Sequence, residues 1–184
     1  MSPESVIGRF YEPGSQLWNI LVTHSRCVAG LAVEIADAHP EAGADRQFVF
    51  EAAMLHDIGI IGTDAPSIFC FGSRPYICHG TIGSEMLRDV GLPRHALVAE
   101  RHTGSGLSLQ YILANDLPLP HRDLLPVTPE ERIICYADKF FSKSRNLAEM
   151  KSFDRALASC AKYGDDSRDR FLAMDEAFRI PRIV

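Results

Sequence analysis

Apolar positions recur at three- and four-residue steps along most of this chain. Leu17, Ile20, Leu21, His24, Cys27, Val28, Leu31 and Ile35 form one such stripe, which predicts an amphipathic helix ending near His39-Pro40. A second helix is expected from about Asp45, as N-cap, through Phe48, Ala52 and Leu55, with Gly59 placed to stop it and with His56 and Asp57 in its last turn. Further helices are expected from His79 to Val90, from about Arg94 to His102, and from Glu130 to about Ser144, followed by one or two weaker ones. Gly62 to Cys78, with glycine, proline and serine among aromatics, reads as an ordered loop able to cover a site. Asn115 to Pro129, with four prolines, reads as an extended connector. No alternation of period two is long enough for a sheet, so the fold class is all-α.

Composition narrows the reading. A chain of 184 residues with 46% apolar content fits one domain able to bury a core, so residues 1–184 are expected to be a single domain with its centre at about 17–145 and a helical extension over 146–184. No apolar run approaches the roughly 20 residues of a membrane helix, which implies no membrane partner and a cytoplasmic location. Five cysteines without a Cys-x-x-Cys pair argue against both a disulfide framework and a zinc ribbon. A net charge of -5 argues against binding of nucleic-acid duplexes, while a small anion could still bind at a locally positive site.

The chemistry lies in polar residues placed on apolar faces. His24 follows Ile20 by four, His56 follows Ala52 by four, His102 follows Val98 by four, Asp138 follows Ile134 by four, and His79 shares a face with Ile82 and Met86. Each of these histidines taken singly is explained by a hydrogen bond to a backbone carbonyl. Four imidazoles and two carboxylates buried together are costly unless a cation compensates them, and a divalent metal does so. Imidazole and carboxylate without thiolate suit iron, manganese, zinc, nickel or cobalt.

The string Met54-Leu55-His56-Asp57-Ile58-Gly59, with Thr23-His24-Ser25-Arg26 upstream and Tyr136-Ala137-Asp138-Lys139 downstream, resembles the HD-domain metal-dependent phosphohydrolase superfamily. The resemblance implies an HD-domain helical bundle. It also implies one metal held by His24, His56, Asp57 and Asp138. Cys78-His79-Gly80 and Arg101-His102-Thr103-Gly104 match the two extra histidines of dinuclear members, which implies a second ion on Asp57, His79 and His102, with Asp57 and a hydroxide bridging. On that reading Asp57 is the catalytic residue and one or two divalent ions are the cofactor. The substrate is a small phosphate ester or anhydride such as a nucleotide, with Arg101, Lys139 or Arg74 as candidate phosphate contacts and Lys139 preferred. For Arg101 and Lys139 the competing expectation is a solvated helix face.

Ile60 stands where the cyclic-dinucleotide phosphodiesterases carry lysine, and Thr103 follows His102 where they carry a second histidine, so activity on cyclic dinucleotides is not expected. His-Thr-Gly and the dinuclear set are more similar to the symmetrical diadenosine tetraphosphate hydrolases and to small HDIG proteins. Two other readings use the same residues: a mixed-valence di-iron oxygenase acting on a small polyol or phosphonate, and a non-catalytic module braced by its metals. Homo-oligomerisation is left open. His39, His95 and His121 sit in polar turns and are expected to be exposed.

Overall fold

The computed structural model describes residues 2–143 and 146–183. The Leu17–Ile35 stripe lies on α2, Gln16–Ala38, whose start is capped by Ser15 Oγ accepting from Trp18 N at 3.1 Å. Its buried residues Leu21, Leu31 and Ile35 are at most 1% exposed, and each contributes about 1.5–3 kcal/mol by leaving water. A short α1, Pro3–Ile7, precedes it and was not expected from the pattern. Its Val6 and Ile7, with Tyr11, close one end of the core.

Asp45 caps α3, Arg46–Leu55, accepting from Phe48 N at 3.1 Å. The helix stops at Leu55, so His56 and Asp57 fall just beyond it, and a 3₁₀ turn over Ile58–Gly62 follows. Gly59 therefore does not terminate α3. A Cβ there would stand 2.1 Å from His79 O and 2.2 Å from Gly83 N, so glycine is required for the close approach of this turn to α4, His79–Asp89.

The loop between them holds a small antiparallel ribbon, β1 Asp64–Ala65 and β2 Cys70–Phe71, in the register Asp64↔Phe71. Two residues per strand are too few to show as alternation in the sequence, and the class remains all-α. Phe71 on this loop is 75% exposed, whereas Tyr76 stacks on His79 with ring centroids 4.7 Å apart.

α5, Pro93–Arg101, packs against α4. α6, Leu109–Ala114, capped by Ser108 and burying Ile112, was not expected from the pattern and ends just before the connector that starts at Asn115. α7, Pro129–Asp138, begins at the Thr128 cap and ends earlier than expected. Phe140 and Phe141 beyond it are both buried. The chain tightens there through bonds from Lys139 N to Tyr136 O and from Phe140 N to Ala137 O, and Ser144 lies outside the described residues.

α8, Phe153–Ala161, and α9, Asp165–Phe178, complete the bundle. Phe171, Met174 and Phe178 of α9 join Val28, Ile35, Met54 and Tyr136 in the main cluster, so the C-terminal helices share the core of α2, α3 and α7. Leu55, Ile58, Leu87 and Ala99 belong to a second cluster. The polar residues singled out from the sequence lie where these layers meet. Among the described residues no helix is long and apolar enough to cross a membrane.

Candidate metal centre

Four helix ends and one helix interior converge on a buried polar centre. His24 comes from the middle of α2, His56 and Asp57 from the end of α3, His79 from the first residue of α4, His102 from the end of α5 and Asp138 from the last residue of α7. All six side chains are buried, from 0% exposed at His24, His56 and Asp57 to 7% at Asp138.

Asp57 divides this centre. Its Oδ2 lies 3.1 Å from Nε2 of both His24 and His56, while its Oδ1 lies 3.3 Å from His102 Nε2 and 3.6 Å from His79 Nε2. Asp138 Oδ1 closes the first half, 3.0 Å from His24 Nε2 and 3.3 Å from His56 Nε2. Two groups of potential ligand atoms result, His24/His56/Asp57/Asp138 and Asp57/His79/His102, each within 4.8 Å internally and sharing Asp57.

The ring tautomers show why these atoms call for cations. His56, His79 and His102 each direct Nδ1 at the carbonyl three residues back, at 2.6 Å to Ala53, 2.7 Å to Tyr76 and 2.8 Å to Ala99. A carbonyl only accepts, so each Nδ1 carries a hydrogen and Nε2 of each ring is turned to the centre, with a free lone pair whenever the ring is neutral. His79 Nε2 and His102 Nε2 consequently face one another at 3.0 Å, lone pair to lone pair. His56 Nε2 and both Asp57 oxygens are buried without a hydrogen-bond partner of good geometry. Converging lone pairs and carboxylate oxygens repel, and a divalent cation between them removes the repulsion. The residues present therefore fit a metal pair.

The titration pattern agrees. Burial raises the energy of charged Asp57, yet Lys143 and then His56 hold its carboxyl well below the usual range, and Asp138 is held low in the same way by Lys139 and Lys143. Burial, then His102, pushes His79 down to about 3, so it stays a neutral ligand at any ordinary pH. His56 is pushed up to about 9 because Asp57 and Asp138 outweigh its burial, and an entering metal ion must displace that proton.

Neither Arg101 nor Lys139 stands on a fully solvated helix face. Arg101 is half-buried and donates to buried Glu131 at 2.9 and 3.2 Å. Lys139 is only 8% exposed and bonds Asp138 Oδ2 at 2.7 Å and His102 O at 2.9 Å, bracing the ligands from behind. Lys143, not considered from sequence, places Nζ 2.7 Å from Asp57 Oδ2. Among the remaining histidines only His121 is exposed, while His39 and His95 are half-buried. His95 stands edge-on to Phe48 and 3.6 Å from Glu51. Beside the centre a cavity of about 400 Å³ opens between His79, His102 and Asp138 on one side and Ser159 and Lys162 of the C-terminal helices on the other.

Fold and site together define an α-helical His/Asp metal-site protein. The model of the HD domain family matches residues 21–142, and the chain belongs to that family. An uncharacterized protein of Methanocaldococcus jannaschii is 33% identical over 143 residues, covering 74% of this chain and 77% of that protein. A tRNA (cytidine(56)-2'-O)-methyltransferase of Picrophilus torridus is 33% identical over 128 residues, covering 69% of this chain but only 33% of the methyltransferase. Among solved structures, the HD domain of the L. monocytogenes phosphodiesterase PgpH superposes with a TM-score of 0.48 at 23% identity, over 92% of this chain and 90% of that one.

Proposed function

We propose that this protein is a metal-dependent phosphohydrolase that cleaves a small phosphate ester or anhydride. The observation that carries the reading is Asp57, whose two oxygens face two separate imidazole pairs and so are set to join two cation sites through one carboxylate. His24, His56, Asp57 and Asp138 would hold one ion and Asp57, His79 and His102 the other. Divalent ions bound there would supply a hydroxide near neutral pH and positive charge for phosphoryl oxygens.

The chain's own residues do the rest. The carbonyls of Ala53, Tyr76 and Ala99 fix the orientation of three ligand rings, so little reorganisation is left for the moment of reaction. Lys139 stabilises Asp138 in its ionised form, and the burial of all six ligands keeps bulk water from competing. The cavity is the entry path, and Lys143 on its wall is the cation best placed to meet a phosphoryl oxygen beside Asp57. Whether a mixed-valence iron pair activates oxygen instead is a property of the loaded metal, not of these side chains.

The test is turnover of p-nitrophenyl phosphate, followed as p-nitrophenolate, and of nucleotides and dinucleoside polyphosphates, followed by chromatography of their products, by protein loaded in turn with manganese, cobalt, nickel, zinc and iron. Turnover by at least one loaded form, abolished in Asp57→Ala, is the expected result. Absence of turnover with every phosphate compound, together with oxygen uptake by the iron form, would overturn the hydrolytic reading.

A further inference from the structure

The chain has only four lysines, Lys139, Lys143, Lys151 and Lys162, against fifteen arginines. All four lysines line the 400 Å³ cavity beside the metal centre, and no arginine among the described residues does. They come from separate pieces of chain: Lys139 follows α7, Lys143 lies in the next segment, Lys151 precedes α8 and Lys162 follows it.

Their charges are not equally used. Lys139 and Lys143 each sit 2.7 Å from a ligand carboxylate, Asp138 and Asp57 respectively. Lys151 Nζ reaches only the Lys139 carbonyl, at 3.1 Å, and neither Lys151 nor Lys162 has a carboxylate within 4 Å among the described residues. Among the described residues Asp138 is the only acidic one on the cavity wall. Burial draws Lys151 below its ordinary value, with Asp138 opposing and Lys139 and Lys143 adding to the shift. Ser67 and Ser159 add hydroxyls on the same wall.

We infer that Lys151 and Lys162 form a second phosphate subsite, so that the substrate class is a compound with phosphates in series, one at the metal centre and the next against the start and end of α8. This inference rests on the hydrolytic reading above and names its substrate class. A single phosphate would fill the metal-proximal end and leave two cations unmatched. The cavity volume falls within the range of small-ligand pockets, about 300–1,000 Å³, and exceeds what one phosphate needs. Lysine, a compact hydrated point charge, suits a phosphate chain whose oxygens offer no fixed fork for arginine.

The experiment is calorimetric binding to the full chain loaded with metal. Methylenediphosphonate, whose P–C–P bridge resists hydrolysis, is compared with orthophosphate, and Lys151→Gln/Lys162→Ala with the unaltered protein. The unaltered protein should bind the diphosphonate at least tenfold more tightly than orthophosphate, and the double variant should lower that ratio about tenfold. A ratio near one, or an unchanged ratio in the variant, overturns the subsite. If Lys151→Gln fails to fold, Lys162→Glu alone, at an exposed position, must lower the ratio in the same direction. Tripolyphosphate and a nucleoside triphosphate, added as further arms, distinguish recognition of the phosphate chain from recognition of a base. Retained diphosphonate preference with no hydrolysis of any phosphate compound would defeat the hydrolytic reading while leaving the subsite standing.

Discussion

Replacing Gly59 by alanine puts a single methyl group between the turn that follows Asp57 and the backbone of α4. That methyl would lie 2.1 Å from His79 O, 2.2 Å from Gly83 N and 2.8 Å from Gly83 Cα. Carbon normally stands roughly 3.3 Å or more from such atoms, and every one of them is backbone, so α4 and the turn must separate by about 1 Å. Overpacking of this kind costs about 3 kcal/mol, which lowers Tm by roughly 6–12 °C in a domain of this size. The consequence for function is selective. His79 opens α4 and faces Asp57 Oδ1 at 3.6 Å, whereas His24, His56 and Asp138 come from other elements. A displacement of about 1 Å at a reacting centre is worth roughly 100-fold in rate. Gly59→Ala should thus lose the ion held by His79 and His102 before the one held by Asp138, and most of any phosphatase activity with it. Urea unfolding and metal analysis after gel filtration measure both effects. Stability within 0.5 kcal/mol of the unaltered protein with full metal content would refute the steric account.

Other expectations use different parts of the molecule. Asp57→Ala should release both ions because it ends the shared ligand, whereas His79→Ala should retain one per chain, as counted by plasma emission spectrometry. Tyr11→Phe should cost about 2 kcal/mol in urea unfolding, since the hydroxyl donates to Ile58 O at 2.6 Å and accepts from Ile61 N at 3.1 Å, bridging the turn after Asp57. Burial holds His95 below its ordinary value of 6.5, with Glu51 opposing, so its neutral form is favoured by the fold. The stability tied to it is complete above that value and lost as pH falls below it, and the drop in urea midpoint between pH 7.5 and 5.5 should shrink in His95→Gln. Chelation of the loaded protein should lower Tm by an amount that grows with the free metal concentration used for loading, because the ligands assemble only in the folded chain.

The periodicity of the sequence exposed the helices that carry the ligands, because each puts a polar residue on a face whose other members are large and apolar. It did so for His24 among Leu21, Val28 and Leu31, and for Asp138 beside Ile134. Helix ends were read less well. Gly59 looked like a terminator since glycine commonly is one, whereas its use here, close approach to α4, depends on a contact more than twenty residues away. α7 stops at Asp138 although the buried residues continue through Phe140 and Phe141, so the apolar pattern alone carried the expected helix too far. Arg101 and Lys139 were weighed one at a time against solvent, yet their fates depend on Glu131 and Asp138 across helix boundaries. The one signal passed over was distributional: every lysine of the chain falls between residues 139 and 162.

The central claim is that Asp57 joins two cation sites. Anomalous diffraction from crystals of the manganese- or iron-loaded protein, collected on either side of the metal edge, tests it most directly. Two peaks are predicted, one bounded by His24, His56, Asp57 and Asp138 and one by Asp57, His79 and His102. A map with no peak touching Asp57, or with metal bound only elsewhere on the chain, would contradict it.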